Sequence, residues 1–502
     1  MPPSYFRNII MTSGINKNKI PEHVQRIHLI AVCGTGMGAL ACILKDLGYA
    51  VTGSDQHVYP PMSIFLEQKG ITLSQGFRPE NLAYLPDLVV VGNAVSKDNP
   101  EVVEMVRTGR YFCSMPQAVN AFAGKGKQTI LVTGTHGKTT TSSLIAWLLY
   151  CAGMGTSFVI GGILANFNSN YFLGSGDTLV VEGDEYDTAF FDKGPKFMHY
   201  DPAIAVLTGV EFDHADIFKD LDHIKKAFSI FVSGLRSDAT LMAFQPDSNV
   251  DDVIQQAPCK VYRYGNHGGD WAIKQARIDA PWTLFDVTHA NVLYGRFQTS
   301  MPGEHNLSNT LAAIAVADRL NIPKQTIQKA LQSFKGVKRR QEIRGIKNGI
   351  VVIDDFAHHP TAVKKTIEAI KGYYRENRLV AVFEPRTNTS MRNIFQDVYS
   401  KAFDGADKIC IRRPALLEKI PAEERFSSLR LVDDLNKRGL DANYFENTEE
   451  IVAFLTQEAR PGDVILVMSN GGFDNIHARL LEGFEKISSH QNVESRNGGS
   501  AA

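Results

Sequence analysis

The chain lacks an excess of charge of either sign: 53 Lys plus Arg stand against 54 Asp plus Glu in 502 residues, a formal net charge of -1. Without an extended basic field, broad electrostatic capture of nucleic acid or of an anionic membrane surface is excluded, and only local sites can take phosphate-bearing ligands. Cysteine is sparse. The six, Cys33, Cys42, Cys113, Cys151, Cys259 and Cys410, are scattered and form no Cys-x-x-Cys pair, so they read as core residues in a reducing compartment, not as a disulfide framework. Met1–Gln25 has no apolar run of signal-peptide length. No uninterrupted membrane span is present either. The segment between Lys138 and Asp177 is free of charge, yet Gly153, Gly155, Gly161, Gly162, Asn166 and Asn168 break it, so a buried helix followed by a buried strand is expected there. The expected location is cytoplasmic, with neither nucleic acid nor membrane as a partner, and nothing in the sequence sets an oligomeric state.

Residues 129–141, Thr-Ile-Leu-Val-Thr-Gly-Thr-His-Gly-Lys-Thr-Thr-Thr, read as a short apolar strand entering a glycine loop that opens a helix. Gly134 and Gly137 let backbone N–H groups turn onto phosphate oxygens, with Thr135, His136 and Thr140 in the same cradle. Lys138 supplies an ammonium beside the terminal phosphates, and the hydroxyl of Thr139 can ligate Mg²⁺. The pattern implies ATP. It is not the common Walker form, because Val132 occupies the position where that form needs glycine. A ligand-free glycine turn has little packing rationale for Gly-Lys-Thr-Thr at a strand-to-helix junction.

A second glycine loop, Gly34-Thr35-Gly36-Met37-Gly38-Ala39, follows the apolar strand Ile27–Cys33 and precedes a helical run, Leu40–Leu47, and a second strand ending in Ser54-Asp55. This fits a diphosphate-binding turn with an acid at the expected distance, although a purely structural tight turn has the same spacing. Gly34, Thr35, Gly36, Met37, Gly38 and Asp55 are the candidate contacts, and the fingerprint reads pyrophosphate, not nicotinamide. Strands and helices then alternate to the end of the chain, implying an α/β fold of mostly parallel, doubly wound sheets. Three domains are expected: a Rossmann-like domain at 1–124, a P-loop ATP-binding domain at 125–335 and a Rossmann-like domain at 336–502, with a mobile polar tail from Ser488. Gly124-Lys125-Gly126-Lys127 reads as the first linker.

Ligands of open parallel sheets sit at the carboxyl ends of strands, and acidic and histidine residues gather there in this chain. Glu182-Gly183-Asp184-Glu185-Tyr186-Asp187 and Thr208-Gly209-Val210-Glu211-Phe212-Asp213-His214 each follow an apolar strand. Glu182 is the candidate partner of Thr139 for Mg²⁺, and His214 the candidate ligand of a second ion. Asn306 or Ser308, by themselves, read as the N-cap of an Ala-rich helix running Ser308–Asp318. Asp354-Asp355-Phe356-Ala357-His358-His359-Pro360 places two acids and two histidines where a strand gives way to a helix.

Taken in order, Gly-Thr-His-Gly-Lys-Thr-Thr (134–140), Glu-Gly-Asp-Glu-Tyr-Asp (182–187), Asp-His (213–214), Gly-Glu-His-Asn (303–306), Arg-Arg-Gln-Glu (339–342) and Asp-Asp-Phe-Ala-His-His-Pro (354–360) resemble the motifs of the Mur ligases, over residues 26–485. The resemblance implies an ATP- and Mg²⁺-dependent amide-forming ligase of peptidoglycan assembly. It implies a UDP-sugar diphosphate at Gly34–Gly38, adenine-side contacts from Asn306 and Asn309, phosphates on Arg340, the ATP ribose on Asp355 and the incoming amine at His358. Lys138, Glu182, His214, Arg340 and His358 would be the catalytic set. Glu384-Pro385-Arg386-Thr387-Asn388-Thr389 and Met468-Ser469-Asn470-Gly471-Gly472-Phe473 are similar to the members that recycle wall fragments by joining UDP-N-acetylmuramate to L-alanyl-γ-D-glutamyl-meso-diaminopimelate. That implies an acceptor site including Arg386, Thr387 and Asn388. An L-alanine-adding member is the alternative, as is a binding or regulatory protein gated by nucleotide. Where several family members carry a carbamoylated lysine this chain has Ser229, so no carbamoyl-lysine is expected. Closure of the third domain over the second is expected to exclude water.

Overall fold

Leu88–Val91 is apolar and buried at every position, as a strand covered on both faces must be. The computed structural model describes residues 17–58, 62–215, 217–415 and 417–497, the side chains of 487–497 excepted. The described residues form two compact units, one within 17–211, 222–271 and 311–335, the other within 212–221, 272–310 and 336–497. Among the described residues no helix is long and apolar enough to cross a membrane.

The first unit contains a wholly parallel sheet in the order Thr72–Gln75, Ala50–Asp55, Arg26–Ile30, Leu88–Val91, Tyr111–Ser114. The chain reverses its direction of growth between Arg26–Ile30 and Leu88–Val91. A crevice opens at such a reversal, and the glycine loop at 34–38 follows directly from it. Beneath this sheet lies a fully buried polar group that the sequence reading did not anticipate: His28 Nε2 meets Glu101 Oε2 at 3.1 Å, and Ser54 Oγ donates to the same oxygen at 2.7 Å.

The unit's other sheet runs Lys260–Gly265, Thr240–Phe244, Ile204–Leu207, Gln128–Thr133, Thr178–Glu182, Ser157–Leu164, Ser169–Phe172, parallel except for the last pair. The phosphate-loop strand Gln128–Thr133 is therefore central. Register sets Val132 beside Glu182 and Thr133 beside Leu207, so the acidic strand end and the 208–211 segment flank the loop. The uncharged stretch after Lys138 forms helix Lys138–Cys151 and strand Ser157–Leu164, largely buried as expected.

In the second unit six strands run Glu342–Lys347, Ile350–Asp355, Val464–Met468, Leu379–Phe383, Lys408–Arg412, Ala442–Phe445, parallel except for the first pair. Alternate residues point to opposite faces of a strand, and two cores result. Ile353, Ala381, Phe383 and Ile409 pack on one face, and Val352, Val380, Val382 and Cys410 on the other. The unit also holds the antiparallel hairpin Trp282–His289 and Val292–Thr299.

Several expectations are corrected. The first glycine turn is already helical, because the helix starts at Thr35 and not at Leu40, with Gly38 N–H donating to Gly34 C=O at 2.7 Å. The Ala-rich helix starts at Glu304, so Asn306 and Ser308 lie inside the helix and neither is its N-cap residue. Of the cysteines only Cys42, Cys113 and Cys410 are core, while Cys151 is exposed at a helix end. Lys127 is no solvated linker residue: its ammonium donates to Ser157 Oγ at 2.8 Å and to the carbonyls of Gly174 and Gly176 at 2.9 Å each. The terminal helix Ile476–Asn497 runs into the polar stretch that begins at Ser488, which leaves the expected mobility of that stretch untouched, and 498–502 lie outside the described residues.

Candidate active site

The glycine loop leaves its strand with Gly134 at φ 119° and Gly137 at φ 84°, both in the left-handed region that disfavours a side chain. A Cβ on Gly134 would lie 2.5 Å from Thr208 Oγ1 and 2.8 Å from Gly209 O, so glycine is required twice over. Neighbouring strand ends fix the loop. Thr135 N–H donates to Gly209 C=O at 3.0 Å, Thr135 Oγ1 donates to Glu211 C=O at 3.1 Å, and Thr208 Oγ1 donates to His136 C=O. His136 Nε2 lies 3.5 Å from the Glu211 carboxylate. The helix from Lys138 has no acid in its first turn, which leaves its N-terminal N–H groups and dipole to an anion.

Thr139 and Glu182 meet as the sequence suggested. Thr139 Oγ1 donates to Glu182 Oε1 at 2.9 Å, and Gly161 N–H donates to Oε2 at 2.7 Å. A hydroxyl beside a carboxylate is a pair of hard oxygen donors, which fits Mg²⁺. Burial pushes the Glu182 carboxyl above the usual carboxylate range, although Lys138, the Gly161 amide and Thr139 oppose that shift. Lys138 is turned back on its own loop: Nζ donates to Gly134 C=O at 2.8 Å and Thr135 C=O at 3.1 Å and lies 2.7 Å from Glu185 Oε2. Burial opposes its charge, but Glu185 and Asp184 outweigh burial and hold the ammonium above its ordinary pKa. Glu185 was visible in the acidic run but not singled out. The signal was its position three residues beyond Glu182, on the same loop.

The first unit holds the other glycine loop as well. Thr35, Gly36, Met37 and Gly38 form the opening turn of helix Thr35–Asp46, with Gly34 as its N-cap. This end is attached to the sheet that carries the phosphate loop: Asn170 Nδ2 donates to Thr35 C=O at 3.0 Å, and Tyr171 Oη to Asp46 Oδ2 at 3.1 Å. Asp55 accepts from the N–H groups of Cys33 at 2.9 Å and His57 at 3.2 Å, so it ties two loop segments together. A Cβ on Gly36 would sit 3.1 Å from Met115 Cε. Gly36→Val is therefore expected to raise KM for a UDP-sugar about tenfold or more while leaving KM for ATP unchanged, measured by ADP release under varied substrate. An equal loss for both nucleotides would contradict it.

The second unit carries the remaining candidates. Asp355 Oδ1 accepts from Ala357 N–H at 2.7 Å and Oδ2 from Gln341 N–H at 2.8 Å. Burial pushes this carboxyl up, with Arg340 and those two amides opposing. Gln341 Oε1 accepts from Asn306 Nδ2 at 3.0 Å, and Asn306 Oδ1 from Asn309 Nδ2 at 3.3 Å, so Asn309, Asn306, Gln341 and Asp355 form one chain of contacts. Arg340 stacks over the Phe356 ring at 4.7 Å. His358 and His359 divide their roles. His359 caps helix Pro360–Tyr373, its Nδ1 accepting from Thr361 N–H at 3.3 Å while Nε2 faces Phe212 C=O at 3.2 Å. His358 Nδ1 lies 3.0 Å from Phe356 C=O, and its Nε2 lies 3.9 Å from Asp213 Oδ2. His214, whose N–H donates to Asp213 Oδ1 at 2.7 Å, belongs to this unit, not to the one that holds Thr139 and Glu182. Ser390 Oγ accepts from the N–H groups of Arg386 and Thr387 at 2.9 Å each, fixing the turn that also carries Asn388. Ser229 sits on helix Leu221–Ser233, and nearby Lys225 is ion-paired with Asp252.

Three family models match in chain order: "Mur ligase family, catalytic domain" over 26–126, "Mur ligase middle domain" over 132–317 and "Mur ligase, glutamate ligase domain" over 339–471. The chain is 38% identical to the UDP-N-acetylmuramate–L-alanyl-γ-D-glutamyl-meso-2,6-diaminoheptandioate ligase of Escherichia coli K12, over 92% of this chain and 98% of that one. It is 33% identical to the UDP-N-acetylmuramate–L-alanine ligase of Clostridium tetani, over 90% and 96%. Among solved structures, a murein peptide ligase from Psychrobacter arcticus 273-4 superposes with a TM-score of 0.68 at 34% identity, covering 92% of this chain and 99% of that one. With the phosphate loop, the glycine turn and the aspartate-histidine strand end in place, this chain belongs to the Mur ligase family.

Proposed function

We propose that the chain joins the lactyl carboxylate of UDP-N-acetylmuramate to the amine of L-alanyl-γ-D-glutamyl-meso-diaminopimelate, with ATP cleaved to ADP and phosphate. The observation that carries the chemistry is the contact of Thr139 with Glu182 at the mouth of a loop that only glycine can form, beside Lys138. The acceptor assignment is supported by the peptide-adding relative and by the 384–389 and 468–473 stretches.

A carboxylate does not react usefully with an amine in water, because it is ionised and oxide is a poor leaving group. The lactyl carboxylate attacks the γ-phosphorus of ATP, giving an acyl phosphate. Lys138 and Arg340 neutralise the charge that develops on the phosphoryl oxygens. For Lys138 this means leaving Glu185. Thr139 and Glu182 would hold a Mg²⁺, with His214 assigned to a second ion, and bound Mg²⁺ supplies Lewis-acid polarisation of phosphoryl oxygens. Gly34–Gly38 take the UDP diphosphate, Asn306, Asn309 and Asp355 the nucleoside side of ATP, and Arg386, Thr387 and Asn388 the peptide. Nε2 of His358 is assigned to accept the proton as the alanyl nitrogen attacks the acyl carbon and phosphate departs. The assignment divides the chain at 1–124, 125–335 and 336–502 into UDP-sugar, ATP and acceptor domains of a cytoplasmic enzyme.

ADP release and amide formation, followed with the tripeptide and with free L-alanine, test this. The expected result is stoichiometric ADP and amide with the tripeptide and little of either with L-alanine. Equal amide yield from L-alanine would instead favour the alanine-adding reading. Slow ATP hydrolysis with no amide would favour a nucleotide-gated regulator.

A further inference from the structure

At the carboxyl ends of three adjacent strands of the second unit, Val464–Met468, Leu379–Phe383 and Lys408–Arg412, one buried carboxylate gathers two guanidinium groups. Glu384 is 0% exposed. Its Oε1 accepts from Arg412 Nη1 and, at 3.3 Å, from Arg386 Nη1, and its Oε2 accepts from Ser469 Oγ at 2.7 Å. Arg412 is buried too, and its Nη2 lies 2.8 Å from Asp474, so its charge is balanced within the fold. Arg386 differs. Its side chain is 32% exposed, and among the described residues the contact with Glu384 is its one hydrogen-bonded ion pair. A guanidinium has five N–H donors in a planar fork, so most of its capacity for a carboxylate is still open.

The place of this fork is set by backbone. A Cβ on Gly471 would lie 2.1 Å from Arg386 Cδ, 2.3 Å from Nε and 2.8 Å from Cζ, so the arginine lies flat across this glycine and any side chain there would push the guanidinium aside. The glycine is itself clamped. Arg339 Nη2 donates to the carbonyls of Ser469 and Gly471 at 2.6 Å each, and Gly471 N–H donates to Ser469 Oγ at 2.9 Å. On the other side Ser390 fixes the Arg386 main chain. The carboxylate that Arg386 meets is already held more closely by Arg412.

We infer that Glu384, Ser469 and Gly471 are positioning residues that present Arg386 to a carboxylate of the acceptor remote from its reacting amine, an inference that rests on the peptide-ligase reading above. Free L-alanine has no such carboxylate, so the cradle favours a longer, anionic acceptor. Steady-state kinetics of the full chain test this with the tripeptide and with the tripeptide amidated at its diaminopimelate carboxyls, for Gly471→Ala, Glu384→Gln, Arg386→Ala and the Arg386→Ala/Gly471→Ala double variant. Gly471→Ala and Glu384→Gln are each expected to raise KM for the tripeptide about tenfold, leave KM for ATP and for UDP-N-acetylmuramate unchanged, and change nothing further with the amidated peptide. Adding Gly471→Ala to Arg386→Ala is expected to add no loss. An unchanged tripeptide KM, a rise shared by all three substrates or an additive double variant would overturn the inference. No amide from the unaltered chain would overturn the ligase reading itself.

Discussion

Lys138→Ala is expected to lower ADP release roughly 10²–10³-fold or more, the scale on which a single preorganised charge or donor acts on a transition state. The ammonium is nearly buried among Gly134, Thr135 and Glu185, so no solvent cation can stand in for it. The same substitution leaves Glu185, 2% exposed, without its cation. Breaking a buried pair on one side costs about 3–5 kcal/mol, which would appear as a lower melting temperature. Lys138→Ala/Glu185→Gln separates the two effects: melting recovers because no buried charge is stranded, whereas ADP release stays low. Full turnover in Lys138→Ala would remove the phosphate assignment.

Glu182→Gln is expected to weaken Mg²⁺ dependence and to lower turnover about 10²-fold, because a neutral amide oxygen replaces an anionic ligand in a site with few others. A pH experiment sharpens this. Burial raises the Glu182 carboxyl, so it takes up a proton at a pH above the usual carboxylate range. Raised in the fold, this group contributes stability at low pH that is lost as pH rises through its folded pKa. Cation binding needs the ionised form and runs the other way. The apparent affinity for Mg²⁺ should therefore fall as pH drops through the raised pKa, and the slope should vanish in Glu182→Gln. Titrations of ADP release against Mg²⁺ at several pH values read both results, and a slope kept by the glutamine variant would rule out Glu182 as the titrating ligand.

Much of the phosphate loop could be read from the chain because its physics is local: glycine at positive φ, a strand before it and a helix after it lie within a dozen residues. Strands such as Leu88–Val91 and Val464–Met468 were legible for the same reason, being apolar throughout. Glu182 needed one further step, the rule that ligands gather at strand ends, and register supplies the contact. What escaped depends on distant partners. The pairing of Lys138 with Glu185 spans 47 residues, and that of Glu384 with Ser469 spans 85. His28 and Glu101 look like unrelated polar residues until the sheet stacks one over the other. The two helix starts were misplaced because 34–38 and 303–306 carry turn-like composition across the residue before each helix and its first turn.

The most direct measurement follows oxygen. UDP-N-acetylmuramate labelled with ¹⁸O in its lactyl carboxylate, incubated with ATP, Mg²⁺ and the tripeptide, should yield inorganic phosphate carrying one carboxylate oxygen for every amide formed, because that oxygen bonds to phosphorus before the amine displaces it. Phosphate free of label, with ADP released and the carboxylate recovered intact, would contradict ligation through an acyl phosphate.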